Sequence, residues 1–153
     1  MGIDLIDQGP ALAEASVMAA ENRLGLLLPN DYRQFLFLHN APEVHGADLH
    51  LQSVAGEEVV TTVDFFLGLG VPNGVDLEYH VSRFRARVPG DVIPIARDGT
   101  GDLFLTPIDG RSGPILFWDH ELDDGTLSET GLTVVSRDLA ALFRKLEGSP
   151  DES

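Results

Sequence analysis

Five carboxylates crowd one short stretch of this sequence: Asp119, Glu121, Asp123, Asp124 and Glu129. Such side chains attract arginine and lysine through charge-assisted hydrogen bonds, and an exposed cluster speeds docking of a basic partner. The same residues also suit a plain solvated loop, and both readings are open at this point. Two further aspartates, Asp98 and Asp102, flank Gly99-Thr100-Gly101. That spacing fits a tight turn, where short carboxylates bond nearby backbone amides and glycine supplies positive φ. An EF-hand calcium loop would need alternating oxygen ligands, a central glycine and a terminal glutamate, and this register is missing. The candidate partner-binding set is therefore Asp119, Glu121, Asp123 and Asp124, with Asp98 and Asp102 shaping the turn beside them.

Other chemical constellations are incomplete. There is no cysteine, so disulfides, thiolate ligands and a cysteine nucleophile are excluded. No Gly-x-Ser-x-Gly elbow is present. His120-Glu121 lacks a second histidine at zinc-protease spacing, because position 124 is aspartate. His45 and His50 have no obvious third ligand near them. Gly68, Gly70 and Gly74 approach a dinucleotide fingerprint, but the spacing is off by one, Pro72 intervenes and no βαβ series surrounds them. The expectation is a protein that is not an enzyme and uses neither cofactor nor metal.

The formal net charge is −15, from 25 acidic and 10 basic residues. It opposes direct binding of nucleic acid, whose phosphates it repels, and favours a basic protein partner. No apolar run approaches the ~18–20 residues of a membrane span. The segment Met1-Gly2-Ile3-Asp4-Leu5 lacks the basic and apolar regions of a signal peptide, so a cytoplasmic location is expected.

Helices and strands must position these groups. Residues 11–24 are rich in strong helix formers, with Leu12, Ala15 and Ala19 along one face. A second helix follows Pro29, with Asn30 as its expected N-cap and Tyr32, Phe35, Leu36 and His39 on one face. Phe37 and Leu38 widen its apolar surface, which predicts burial on most sides, and His39 reads as a core or capping residue. Weak strand signals at residues 49–54 and 57–66 lead to a loop over 67–74 and a third helix over 76–88. Val92-Ile93-Pro94-Ile95-Ala96 and Leu103-Phe104-Leu105 bracket the Asp98–Asp102 turn as a hairpin, and Ile115-Leu116-Phe117-Trp118 reads as a third strand with Trp118 in the core. Residues 109–113 form a further turn and 132–135 a short strand. Ser136 is the expected cap of a last helix bearing Leu139, Leu142, Phe143 and Leu146. With 153 residues, 43% of them hydrophobic, the chain reads as a single α+β domain. Its antiparallel-rich central sheet is packed by about four helices, with a core over residues 11–147 and a flexible tail at 148–153.

Three blocks together resemble the SUKH superfamily in its Smi/Knr-like branch. The first is Glu21-x-x-Leu24-Gly25-x-x-Leu28-Pro29-x-Asp31-Tyr32-Arg33-x-Phe35-Leu36, ending at His39-Asn40. Family members usually carry Asn-Gly there, and Ala41 departs from that pattern. The second is Ile93-Pro94-Ile95-Ala96-x-Asp98-Gly99-x-Gly101-Asp102-x-Phe104, and the third Ile115-x-Phe117-Trp118-Asp119-His120-Glu121 before the closing helix. The resemblance implies an α+β domain that works through protein contacts. Many bacterial members look like immunity proteins that bind a cognate toxin, often a nuclease. Fungal relatives act as cell-wall and signalling regulators. An immunity protein facing a basic toxin domain is the leading expectation, and an intracellular scaffold without a toxin partner is the alternative.

Overall fold

The computed structural model describes residues 3–52, 56, 58–85, 91–108, 113–119 and 132–148. Its centre is a run of apolar strands: β6 (Val92–Arg97), β7 (Leu103–Pro107), β8 (Ile115–Trp118) and β9 (Leu132–Ser136). These pair antiparallel in chain order, with a register shift between Pro94 and Ala96. The sheet is extended through β5 (Phe65–Phe66) and β2 (Pro42–His45) to an outer strand, β1 (Asp4–Asp7), making seven strands. A separate two-stranded sheet joins β3 (Leu49–Gln52) to β4 (Glu58–Thr61). Four helices complete the α+β architecture: α1 (Glu14–Leu24), α2 (Asn30–Leu38), α3 (Leu77–Phe84) and α4 (Leu139–Leu146).

Side chains alternate across a strand, and here both faces of the central sheet are covered. Ile93, Ile95, Phe104, Ile115, Phe117 and Val135 join the large core with α1, α2 and α4. Val92, Leu103, Leu105, Trp118 and Leu132 form a second cluster, against which Phe84 of α3 packs. That explains why these strands read as continuous apolar runs rather than as an alternation. The Phe84 and Trp118 rings meet edge to face, 5.6 Å between centroids. Trp118 is core, as its sequence context predicts.

The family-like motifs turn out to be fastenings. The Glu21 carboxylate, only 6% exposed, accepts the Leu28 backbone N–H at 2.9 Å and lies 3.5 Å from Arg33 Nε. It thereby closes the chain reversal that Gly25, at φ 72°, begins. Tyr32 is fully buried and its hydroxyl donates to the Leu67 carbonyl, with Ile95 O 3.3 Å away, so α2 is pinned to the sheet. Burial pushes that phenol far above its ordinary pKa. Asn40 donates to the Pro10 and Leu69 carbonyls and accepts from the Leu69 N–H. Gly68 lies so close beneath it that a Cβ there would stand 2.6 Å from the Ala41 nitrogen. Ala41 itself has φ 52°, the left-handed conformation that glycine adopts most readily.

Several expectations change in detail. The first helix begins at Glu14, with Ala13 at its N-cap. Asn30 is the first residue of α2 and Pro29 its N-cap, while Asp31 accepts the Tyr32 N–H in the first turn. That helix is not buried on most sides: Leu38 is 74% exposed, because the sheet covers only the Tyr32, Phe35 and Leu36 face. The third helix is described from Leu77 to Phe84, capped by Asp76 through the Tyr79 N–H, and residues 86–88 lie outside the described residues. Ser136 is the last residue of β9, and Asp138 caps α4 by accepting the Ala141 N–H at 2.8 Å. Strands β1 and β2 lie outside the predicted elements, since Asp-Leu-Ile-Asp and Pro-Glu-Val-His carry little β signal of their own. The turn expected at 109–113 falls mostly outside the described residues.

Candidate functional site: an acidic cleft between two sheets

The hairpin between β6 and β7 is organised by one carboxylate. Asp98 is 5% exposed, and its Oδ1 accepts from the Thr100 N–H (2.9 Å), the Thr100 hydroxyl (2.8 Å) and the Asp102 N–H (3.0 Å). Its Oδ2 accepts the Thr61 hydroxyl at 2.9 Å, tying β4 to the hairpin. The Asp98 N–H donates to the Asp102 carbonyl at 3.0 Å, and Gly101 supplies φ 99°. These bonds satisfy a carboxylate that burial would otherwise penalise. Asp98 therefore acts by holding the turn, and its lone pairs are directed inward.

Beside this turn lies an open cleft of about 600 Å³, between the β3–β4 sheet and the ends of β6, β7 and β8. Asp48, Asp64, Asp98, Asp102 and Asp119 all line it, and among the described residues its lining contains no Lys, Arg or His. Asp64 is held at the start of β5: its N–H donates to Arg97 O, its carbonyl accepts from the Val44 N–H, and its Oδ1 accepts the Thr62 hydroxyl at 2.6 Å. Gly99 lies opposite it, and a Cβ there would come within 2.6 Å of Asp64 Oδ2 and push that carboxylate aside. Asp48 is exposed, and Asp64, Asp102 and Asp119 are part-exposed, so four carboxylates face solvent around an apolar wall of Val59, Val60 and Phe117. Arg97 turns away from the cleft, donating to Asp98 O and to Gly74 O. Such a surface can take a cationic side chain, whose charge meets the carboxylates while its aliphatic stem lies on the valines.

Of the sequence-predicted residues, Asp98, Asp102 and Asp119 meet in this cleft. Glu121, Asp123 and Asp124 lie outside the described residues. Asp48 and Asp64 are additions, with no local sequence signal to mark them, because only the pairing of distant strands brings them to Asp119. The histidines serve elsewhere. His39 C-caps α2 and lies 3.1 Å from Asp7, His45 pairs with Glu43, and His50 lies 3.6 Å from Glu58. Among the described residues, no group of three or more His, Asp or Glu side chains is placed to hold a metal ion.

The sequence matches the family model described as SMI1 / KNR4 family (SUKH-1) over residues 11–145. The chain belongs to that family. The match takes in every fastening described above: the Glu21 bridge, the Tyr32 anchor, the Asn40 knot and the Asp98 turn. Within this SUKH-1 domain the motifs thus explain the fold and leave the choice of partner to the surface. A comparison with curated proteins gives no match. Among the described residues, no helix is long and apolar enough to cross a membrane.

Proposed function

We propose that this SUKH-1 domain is a non-enzymatic binding protein of the immunity type, which occupies the basic surface of a cognate toxin domain in the cytoplasm. One observation carries the reading: five aspartates line one cleft, in a chain of net charge −15. Nuclease toxins need basic surfaces to hold nucleic acid, so an acidic cleft competes for the same groups. Long-range attraction would raise the association rate, and the aspartates would set the register at contact. The family assignment equally accommodates a regulator of the Smi/Knr type, which binds other proteins and has no toxin partner.

A co-expression test separates these readings. The gene product encoded immediately beside this chain is produced in a bacterial host with and without it. Rescue from toxicity by the wild type, and loss of rescue by an Asp48→Lys/Asp64→Lys/Asp119→Lys variant with unchanged circular dichroism, supports the proposal. Full rescue by that variant refutes the cleft as the contact surface. A second variant reversing Glu121, Asp123 and Asp124 then asks whether the acidic loop takes that role. A neighbour without toxicity favours the regulator.

A further inference from the structure

Strand β4 pairs only with β3 among the described residues, in the register Leu49–Thr61 to Gln52–Glu58. Among the described residues no strand lies against its opposite edge, where every second residue presents its backbone N–H and C=O groups. The acidic cleft runs along this edge. It is lined by four consecutive residues, Val59, Val60, Thr61 and Thr62, and by none of the residues of β3. Successive side chains of a strand point to opposite faces, so a groove over one face would meet alternate residues only. Val59, Val60 and Thr61 are consecutive within β4, which places the cleft at its edge, and Thr62 continues the lining past the strand's end.

The edge is short and begins on the charged Glu58, and it carries no other blocking residue. Glu58-Val59-Val60-Thr61 holds no proline or lysine, its β-branched residues favour extension, and Val60 is 52% exposed. Carboxylates of Asp48, Asp64, Asp102 and Asp119 surround the β4 edge, which specifies the charge of whatever pairs there.

We propose that the partner adds an extended segment as a further strand to the edge of β4 away from β3, with arginine or lysine at alternate positions over the four aspartates. Backbone hydrogen bonds would hold the segment and the alternating cations would fix its register, as in other strand-addition complexes. This inference rests on the proposed reading of the partner as basic, and deepens it by specifying the conformation that binds.

The test uses the intact protein and a synthetic blocked octapeptide, Arg-Val-Arg-Thr-Arg-Val-Arg-Thr, followed by titration calorimetry. Two analogues are N-methylated, one on all arginines and the other on all valines and threonines. In a paired strand only one of these sets points its N–H groups at β4. The two analogues should therefore differ by at least about tenfold in affinity, because several hydrogen bonds are lost in one and none in the other. Binding of the parent peptide should also slow amide exchange at alternate residues of β4. Equal affinities of the two analogues, or no binding of the parent at millimolar concentration, would overturn strand addition. A citrulline-for-arginine peptide separates the two ideas. If it binds as tightly as the parent and keeps the difference between methylated sets, strand addition stands and the basic-partner reading falls.

Discussion

Asp98 shows how much a single short side chain can organise. Four donors converge on its carboxylate from β4, from the turn and from the residue before β7. Asp98→Ala leaves the Thr61 hydroxyl and two backbone amides without their acceptor in a largely buried place. Leaving buried donors unpaired costs about 1–3 kcal/mol each, with water relieving those nearest the surface. The expected loss is therefore about 3 kcal/mol in a urea unfolding curve, with a smaller loss for Asp98→Asn, which keeps one acceptor oxygen. The role of Asp98 in a turn was legible because Asp-Gly-Thr-Gly-Asp has few other uses. Its bond to Thr61 was not, since nothing near position 61 points to position 98.

Among the elements, α3 carries a titratable group in its packed face. His80 is 7% exposed, lies with Nδ1 2.8 Å from Asp76 O, and packs against the Phe84 ring. Burial, with lesser contributions from Arg97 and Arg83, lowers its pKa below 6.5, and the Asp76 carbonyl and carboxylate oppose that shift only in part. The unfolded chain then takes up a proton before the folded chain does. Stability is complete above pH 6.5 and is lost as the pH falls below it. A urea midpoint that is flat from about pH 8 to 7 and declines below about 6.5 is expected. His80→Leu should flatten the first part of that decline. Glu78 adds a second, more acidic limb, because its hydrogen bond to Arg23 lowers its pKa. Helix α3 was readable from the spacing of Leu77, Val81 and Phe84, whereas the burial of His80 depended on what the helix meets. Strands β1 and β2 show the opposite limit. They are four residues each, polar in part, and extended because the neighbouring strand supplies their hydrogen bonds.

At the scale of the whole molecule, the charge of −15 acts on stability as well as on partners. Like charges spread over so small a surface repel, and salt screens that repulsion with a Debye length of about 10 Å at 0.1 M. Raising sodium chloride from about 10 to 300 mM should raise the melting temperature by a few degrees, measured by calorimetry, while slowing association with any basic partner. A chain whose charges were balanced in local pairs would show neither trend.

Properties that depend on near neighbours could be read directly from the amino-acid order. They include the helical faces, the glycine and aspartate turns, the two-faced apolar strands, the acidic character and the resemblance to SUKH proteins. Each arises from residues within one turn or one hairpin, or from a sum over the chain. Placement was decided only by the tertiary structure. Asp48, Asp64, Asp102 and Asp119 lie in different segments, and they share a cleft because strand pairing brings their ends to one side of the sheet. That β4 pairs on one side only among the described residues has the same origin. Whether a strand is central or marginal depends on which partners reach it, and that is a property of the assembled sheet rather than of any four residues.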